Sequence, residues 1–395
     1  MSTGSAEGVN TRHHTAVDPS FSSTTRPLRV LHGPCNVGNQ PWVLSRWERQ
    51  LGARSDLVVN YNTWLGYPSD RCLSQHAKRS LRDISRRFLF GASAPLKFNV
   101  LHYYFGRSFL CWDDYSKPNW LWFKDLQLAR ALGRTVIMTL QGCDVRLSAE
   151  SAARNSVTMC AIGQCQVAPT CRSSLDAQRR SLIDKVLPLV DRAFVLNPEL
   201  AHYVPGATFL PYSNVDVESF EPHPAKNDGA LTIVHAPSDP AIKGSAHIIE
   251  AVNRLKERHP IEFVLIKGMP HEEAMKLYAQ ADLVIDQVLA GWYGGFAVEV
   301  MAMAKPVAAY LRPEDLGAIP ADMAAELPII PISPGSIEQA LEPLLRDRQA
   351  LRELGLRSRR YVMRWHNPRY IAKAMLDCYR TKGRSFSLQP PKESP

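Results

Sequence analysis

The sequence predicts an α/β protein made of two doubly wound parallel sheets that face each other across a cleft. Three observations carry that expectation. Short apolar runs alternate with helical patterns along most of the chain, as they do when a parallel sheet takes its crossover helices. The alternation starts afresh after Asn227-Asp228-Gly229. The chain has 395 residues, too many for one ordinary core. Ligands of such sheets bind beyond the carboxyl ends of the strands, so two facing sheets make a cleft.

The elements follow in order. Residues 1–26 are polar and rich in Ser, Thr and His, and are expected to be disordered. They lack the apolar core of a secretory leader. Within a first domain, 27–212, the runs 28–32, 56–60, 98–102, 135–140 and 192–196 read as strands. Pro41 opens a helix at a position that tolerates proline. A second helix spans 119–132 and is closed by Gly133, and a third covers 174–190. The stretch 212–229, with Pro222, Pro224 and Gly229, reads as a linker. Within a second domain, 228–365, strands are expected at 231–236, 262–266, 281–286 and 307–311, and helices at 245–257 and 271–280. Residues 384–395 read as a disordered tail.

At 45% hydrophobic and 22% charged, the composition is that of a soluble globular protein. No apolar run reaches the roughly 18 residues of a membrane span. The expected location is the cytoplasm. The formal charge of +9 favours anionic partners: phosphates, nucleic acid or an acidic membrane face. Nucleic acid ranks last, because no zinc-finger spacing, RNA-recognition signature or long basic tail is present. Cys143, Cys160, Cys165 and Cys171 crowd together, but their spacing fits no standard zinc pattern. Free thiols are expected, with a structural metal among these four as the other reading.

The most informative segment is 291–310. Gly294 and Gly295 form a glycine loop that brings backbone N–H groups close to a ligand at a helix start. Glu299 follows about one turn in, where a carboxylate accepts two hydrogen bonds from a vicinal diol. Lys305-Pro306 stops the helix, and 307–311 runs apolar like a strand buried on both faces. Amides suited to phosphate beside an acid suited to a diol suggest a nucleotide-sugar site. Farther back, 78–90 is basic, with Leu81, Ile84 and Phe88 on one helical face and Lys78, Arg79, Arg82 and Arg86 around it. It reads as a surface for an anionic bilayer or as a core-facing helix with a solvated basic side.

Residues 235–244 (His-Ala-Pro-Ser-Asp-Pro-Ala-Ile-Lys-Gly), 278–286 (Tyr-Ala-Gln-Ala-Asp-Leu-Val-Ile-Asp) and 291–306, in that order and spacing, resemble the donor half of retaining glycosyltransferases with the GT-B fold, glycosyltransferase family 4 and its relatives. The resemblance implies two Rossmann-like domains. It implies transfer of a sugar from a nucleotide diphosphate sugar to a glycan or lipid-linked acceptor, with retention at the anomeric carbon. It also implies that 366–383 form a helix crossing back to the first domain.

Residue by residue, the resemblance assigns Lys243 to the diphosphate and Glu299 to the ribose hydroxyls. Gly294, Gly295 and Phe296 lie with them. Gly38-Asn39 matches a glycine pair whose backbone approaches the diphosphate. His102 and Asp144, with Lys243, are the catalytic candidates; in some relatives the histidine aligns with Tyr104. Each has a plainer reading. Lys243 is then a solvated lysine, Glu299 an acid favoured by the helix dipole, Gly38-Asn39 an ordinary turn, His102 a structural histidine and Asp144 the partner of Arg146. Two positions depart from the family: Ser238 stands at the donor-side arginine, and Gly291 at the first of two glutamates. No Asp-x-Asp triplet occurs, so neither metal nor cofactor is expected. The alternative functions are a non-catalytic nucleotide-sugar-binding relative and a nucleotide-sugar epimerase of similar fold.

Overall fold

The computed structural model describes residues 27–63, 66–74, 80–111, 120–226 and 228–391. The expectations for 1–26, for 392–395 and for Lys78, Arg79 and Asn119 lie outside the described residues.

Twelve parallel strands form two sheets among the described residues. The first has seven: β1 (Arg29–Gly33), β2 (Arg54–Tyr61), β3 (Arg71–Ser74), β4 (Val100–Tyr104), β5 (Thr135–Leu140), β6 (Arg192–Val195) and β7 (Thr208–Phe209), in the order 3-2-1-4-5-6-7. The second has five: β8 (Leu231–His235), β9 (Ile261–Leu265), β10 (Leu283–Gln287), β11 (Val307–Ala309) and β12 (Ile330–Pro331), in the order 12-11-10-8-9. The strands absent from the sequence reading are β3, β7 and β12. Each is a sheet edge of four residues or fewer, too short to show a period.

The larger helices are α1 (Gln40–Gln50), α2 (Leu81–Lys97), α3 (Lys124–Ala131), α4 (Asp176–Lys185), α5 (Ser245–Lys256), α6 (His271–Gln280), α7 (Gly295–Ala302), α8 (Ile337–Arg346), α9 (Arg348–Trp365) and α10 (Pro368–Arg380). α3 begins later than the sequence suggested, because Phe123 at its N-cap is left-handed (φ 58°). The helix expected over 174–190 is preceded by a π-helical turn, Cys171–Leu175, and gives way to a 3₁₀ turn at Leu187–Leu189.

Apolar residues of each strand point both ways, as a doubly covered sheet requires. On one side of the first sheet, Val30, Val100 and Ile137 pack with Leu44 of α1 and with Ile371 and Met375 of α10. On the other, Leu31, Leu101 and Val136 pack with Leu126 of α3 and Leu182 of α4. The last helix of the chain therefore completes the first lobe. In the second sheet, Val234 and Val284 face Val298, Met301 and Val362, while Ile233 and Ile285 face Ile248, Val252 and Leu341. Burying each such side chain is worth about 1.5–3 kcal/mol.

Two segments are more tightly held than expected. The linker is no loose tether: Ser213, Asn214, Val215, Val217 and Ala225 are buried. At the start of the expected tail, Phe386 packs edge-on against Phe194, with ring centroids 4.8 Å apart. A third feature joins the lobes: Met159 and Cys160, between β5 and β6, sit in the core of the second sheet.

Candidate functional site

In each sheet the strand order reverses at one point, between β1 and β4 in the first and between β8 and β10 in the second. The loops leaving those strands open onto the crevice. They carry Gly38-Asn39 on one side, and Ser238–Gly244 and Gly291–Gly295 on the other.

Lys243 ends a short helix, Pro240–Lys243, whose N-cap Asp239 accepts from the amides of Ala241 and Ile242. Its Nζ donates to Asp286 Oδ1 at 2.5 Å. Asp286 is fully buried at the end of β10, and its other oxygen accepts the Gly294 amide at 2.7 Å. One buried carboxylate thus fixes both the cation and the start of the glycine turn. The expectation that the Gly294 amide is free for phosphate is corrected, because Asp286 takes it. Gly295 opens α7.

Glu299 sits in the second turn of α7, 7% exposed. Oε1 accepts from Asn214 Nδ2 at 3.3 Å, and Oε2 meets His271 Nε2 at 3.0 Å. The Glu299 hydrogen bond raises the His271 pKa above the ordinary imidazole value. Asn214 also donates to the Gly295 carbonyl (3.1 Å), and its own carbonyl accepts from Asn39 Nδ2 (3.0 Å). Tyr67, from the first lobe, has its phenol pushed up to about 12 by burial and by the Glu299 charge. Phe296 packs on Tyr278, with centroids 4.9 Å apart. Lys243 and Glu299 therefore converge on the Gly294-Gly295 turn, and the first lobe reaches them through Asn39 and Tyr67.

Gly38 (φ 67°) and Asn39 (φ 62°) are both left-handed, which turns the chain sharply into α1. Asn39 Oδ1, Gln141 Oε1 and Asn214 Oδ1 are buried with no protein hydrogen-bond partner. Gln141 belongs to this rim because its Nε2 donates to the Val37 carbonyl at 3.2 Å. Buried polar atoms are rarely left unpaired, and these three lie near the Gly38-Asn39 turn.

Three candidates behave differently. His102 is 1% exposed, with Nδ1 on the Tyr379 hydroxyl and Nε2 on Thr139 Oγ1, both at 2.7 Å. Burial holds its pKa well below the ordinary value, so the ring is neutral. The same network takes in His32, Tyr104 and Glu48 (His32 Nδ1–Tyr104 Oη 2.8 Å, His32 Nε2–Glu48 Oε2 2.9 Å). The structural reading of His102 is the one this geometry fits; Tyr104 is buried beside it. Asp144 does not pair with Arg146 in the way the plainer reading supposed. It accepts from the Gln141 and Gly142 amides (3.1 and 2.6 Å), while Arg146 pairs with Glu199 at 3.1 Å. Ser238 is exposed and brings no charge.

Gly291 has φ 75°, and a Cβ there would lie 2.6 Å from Arg312 Nη1. A guanidinium is thus packed against bare backbone at this position. Asp144 also lines a cavity of about 420 Å³ in the first lobe, walled by Trp122, Phe123, Leu182, Val186 and Leu189, with Arg179 and Lys185 among the polar residues lining it. The eight cysteines are free thiols, and no three His, Cys, Asp or Glu side chains converge as a metal site among the described residues.

Asp286, Asn214, His271, Tyr67 and Arg312 had escaped the sequence reading. Asp286 closes a quoted segment and was legible as a strand-end acid; the others come from separate loops with no shared spacing.

No protein-family model matches the chain, and no curated protein sequence matches it. Solved structures do. Sucrose-phosphate synthase from Thermosynechococcus elongatus superposes over 90% of this chain and 99% of its own, at 16% identity and a TM-score of 0.55. The catalytic domain of starch synthase IV from Arabidopsis thaliana, bound to ADP and acarbose, covers 91% and 100% at 12% identity and a TM-score of 0.55. Anabaena HepE in complex with UDP-glucose covers 90% and 100% at 9% identity and the same TM-score. The fold is GT-B: two Rossmann-like lobes facing across a cleft.

Proposed function

We propose that the chain is a retaining glycosyltransferase, moving a sugar from a nucleotide diphosphate sugar to a glycan or lipid-linked acceptor without a metal ion. The observation that carries this is the convergence of Lys243 and Glu299 on one glycine turn, opposite Gly38-Asn39. In this reading Glu299 takes the ribose hydroxyls and Phe296 borders the nucleoside. Lys243 Nζ keeps two N–H groups for the diphosphate after serving Asp286. The amides of Gly38 and Gly295 and the α7 N-terminus add partial positive charge.

Charge grows on the departing diphosphate as the bond from the anomeric carbon breaks. The acceptor oxygen bonds to that carbon from the same face, and its proton passes to the leaving phosphate oxygen. Preorganised donors aimed at that charge supply most of the rate, and losing one costs roughly 10²–10³-fold. The acceptor enters from the first lobe, beside the Gln141–Asp144 loop. Asp144 supports that loop from beneath, so its part in catalysis is to hold backbone in place. The enzyme works on the cytoplasmic side.

The test is a thermal-shift panel of UDP, GDP, ADP and their sugars. The true donor raises the melting temperature in proportion to concentration over Kd. Lys243→Ala and Glu299→Ala should fold and lose that shift. A full shift in both variants overturns the site, and an inverted product, read by NMR of the new linkage, overturns retention. Ser238 and Gly291 favour a second reading, a non-catalytic nucleotide-sugar binder. It would show the shift yet release no nucleotide with any acceptor.

A further inference from the structure

The outer side of α2 is built in an unusual way. Leu81, Leu89 and Leu96 are 86%, 66% and 61% exposed, and Phe88 is 43% exposed. At 3.6 residues per turn these four fall within about 100° of arc. Arg82, Arg86 and Lys97 occupy the neighbouring strip and are exposed as well. The buried side is Arg87, Gly91, Ala94 and Pro95, with Arg87 stacked on Tyr61 and so withdrawn from the basic strip. The one acid of the helix, Asp83, bonds back to the N-cap Ser80 at 2.7 Å. α3 packs on α2, and Trp120, Leu128 and Leu132 in and beside α3 are also exposed.

The helix does face the core with Phe90, which packs on Phe109, and with Gly91 and Ala94, but Leu81, Phe88, Leu89 and Leu96 point to water. Exposing them opposes folding unless something covers them. We propose that this face of the first lobe docks in the plane of an anionic lipid bilayer. The apolar strip runs about 22 Å from Leu81 to Leu96 at 1.5 Å per residue. Such a strip sinks among the acyl chains while the basic strip beside it meets lipid phosphates. The sign of the charge selects a bilayer over a second copy of this chain, whose own basic strip would be repelled. Trp120 suits the headgroup boundary. Because α3 also carries the cavity wall toward Asp144, docking sets the acceptor side of the cleft near the membrane. The inference itself stands on the helix face and not on the reaction.

The experiment is flotation of the full chain with vesicles of phosphatidylcholine alone and of phosphatidylcholine with phosphatidylglycerol. The wild type should float with the anionic vesicles and far less with the neutral ones. Leu89→Glu with Leu96→Glu should abolish flotation. Arg82→Glu with Arg86→Glu should remove the preference for anionic lipid. All variants should keep the nucleotide-dependent thermal shift, since the changes are on the surface. A wild type that stays unbound with both vesicle types overturns the proposal. So does a dimer that the leucine variant converts to monomer, which would assign the face to a second copy.

Discussion

Asp286 decides what Lys243 does. A fully buried carboxylate is costly unless paired and hydrogen-bonded, and this one has both a cation and an amide. Removing it leaves the lysine without its anchor and the glycine turn without its clamp. Asp286→Asn should therefore lower kcat and donor affinity together, in the same direction as Lys243→Ala, for which the rate falls by about 10²–10³. His102 offers the opposite prediction. Its ring is neutral and bonded at both nitrogens inside the first lobe. His102→Ala should cost stability, about 2–4 kcal/mol for two lost buried hydrogen bonds and a cavity. The turnover per folded molecule should stay near wild type, and a large fall in it at unchanged stability would restore His102 as a catalytic group. The positions of Lys243 and Glu299 at one turn were legible because each sits within a helical turn of a glycine that follows a strand. Asn214 was not, because it acts from a loop remote in sequence, with no periodicity to mark it. The surroundings of His102 were not legible, because a histidine at a strand end looks the same in sequence whether its ring faces a cleft or a neighbouring helix.

At the level of elements, histidines join strands to what covers them. His235 on β8 bonds the Ile285 carbonyl (2.8 Å) and Ser245 Oγ (2.7 Å), fastening β10 and α5. His366, between α9 and α10, bonds the Tyr293 hydroxyl and the Tyr212 carbonyl, both at 2.8 Å. Burial pushes both down to about 4. Unfolded, each takes a proton near 6.5. As pH falls below 6.5 the unfolded chain binds protons that the folded chain refuses, so stability drops until about pH 4. His271 works the other way, since its raised pKa adds stability that is lost as pH rises, but it is half exposed and screened. The net expectation is a falling melting temperature between pH 6.5 and 4, blunted in His235→Asn. A flat profile would show that these rings are not buried neutral. Most strands and helices were legible because their apolar runs are four residues or longer with glycine or proline at the ends. The short edge strands β3, β7 and β12 were not, and the π-helical turn before α4 looks helical in any periodic reading.

For the whole molecule, the question is what holds one lobe on the other. Glu199, paired with Arg146 in the first lobe, meets Arg312 of the second, with Glu199 Oε2 to Arg312 Nη1 at 3.5 Å. Arg312 also pairs with Asp315 at 2.9 Å and donates to the Val157 carbonyl at 3.1 Å, and Arg154 reaches Asp315 from the first lobe at 2.7 Å. Four of these five charged side chains are 3–6% exposed. Breaking such a network by removing one member costs about 3–5 kcal/mol, because the others stay buried without a partner. The same guanidinium lies against Gly291, so the loop that leads to the Gly294-Gly295 turn and the contact between lobes share one residue. Gly291→Glu should therefore destabilise the loop, read as a lower melting temperature: the backbone is left-handed there and the new side chain meets Arg312. Arg312→Met should lower the melting temperature and raise the donor KM, since Asn39 and Tyr67 contribute to the site only while the lobes are closed. Pairing it with Glu199→Gln should cost less than the two changes added together, by about 0.5–3 kcal/mol of coupling. Strict additivity would mean that Arg312 and Glu199 do not act as one network, and a donor KM of Arg312→Met at the wild-type value would mean that Arg312 does not hold the lobes for the site.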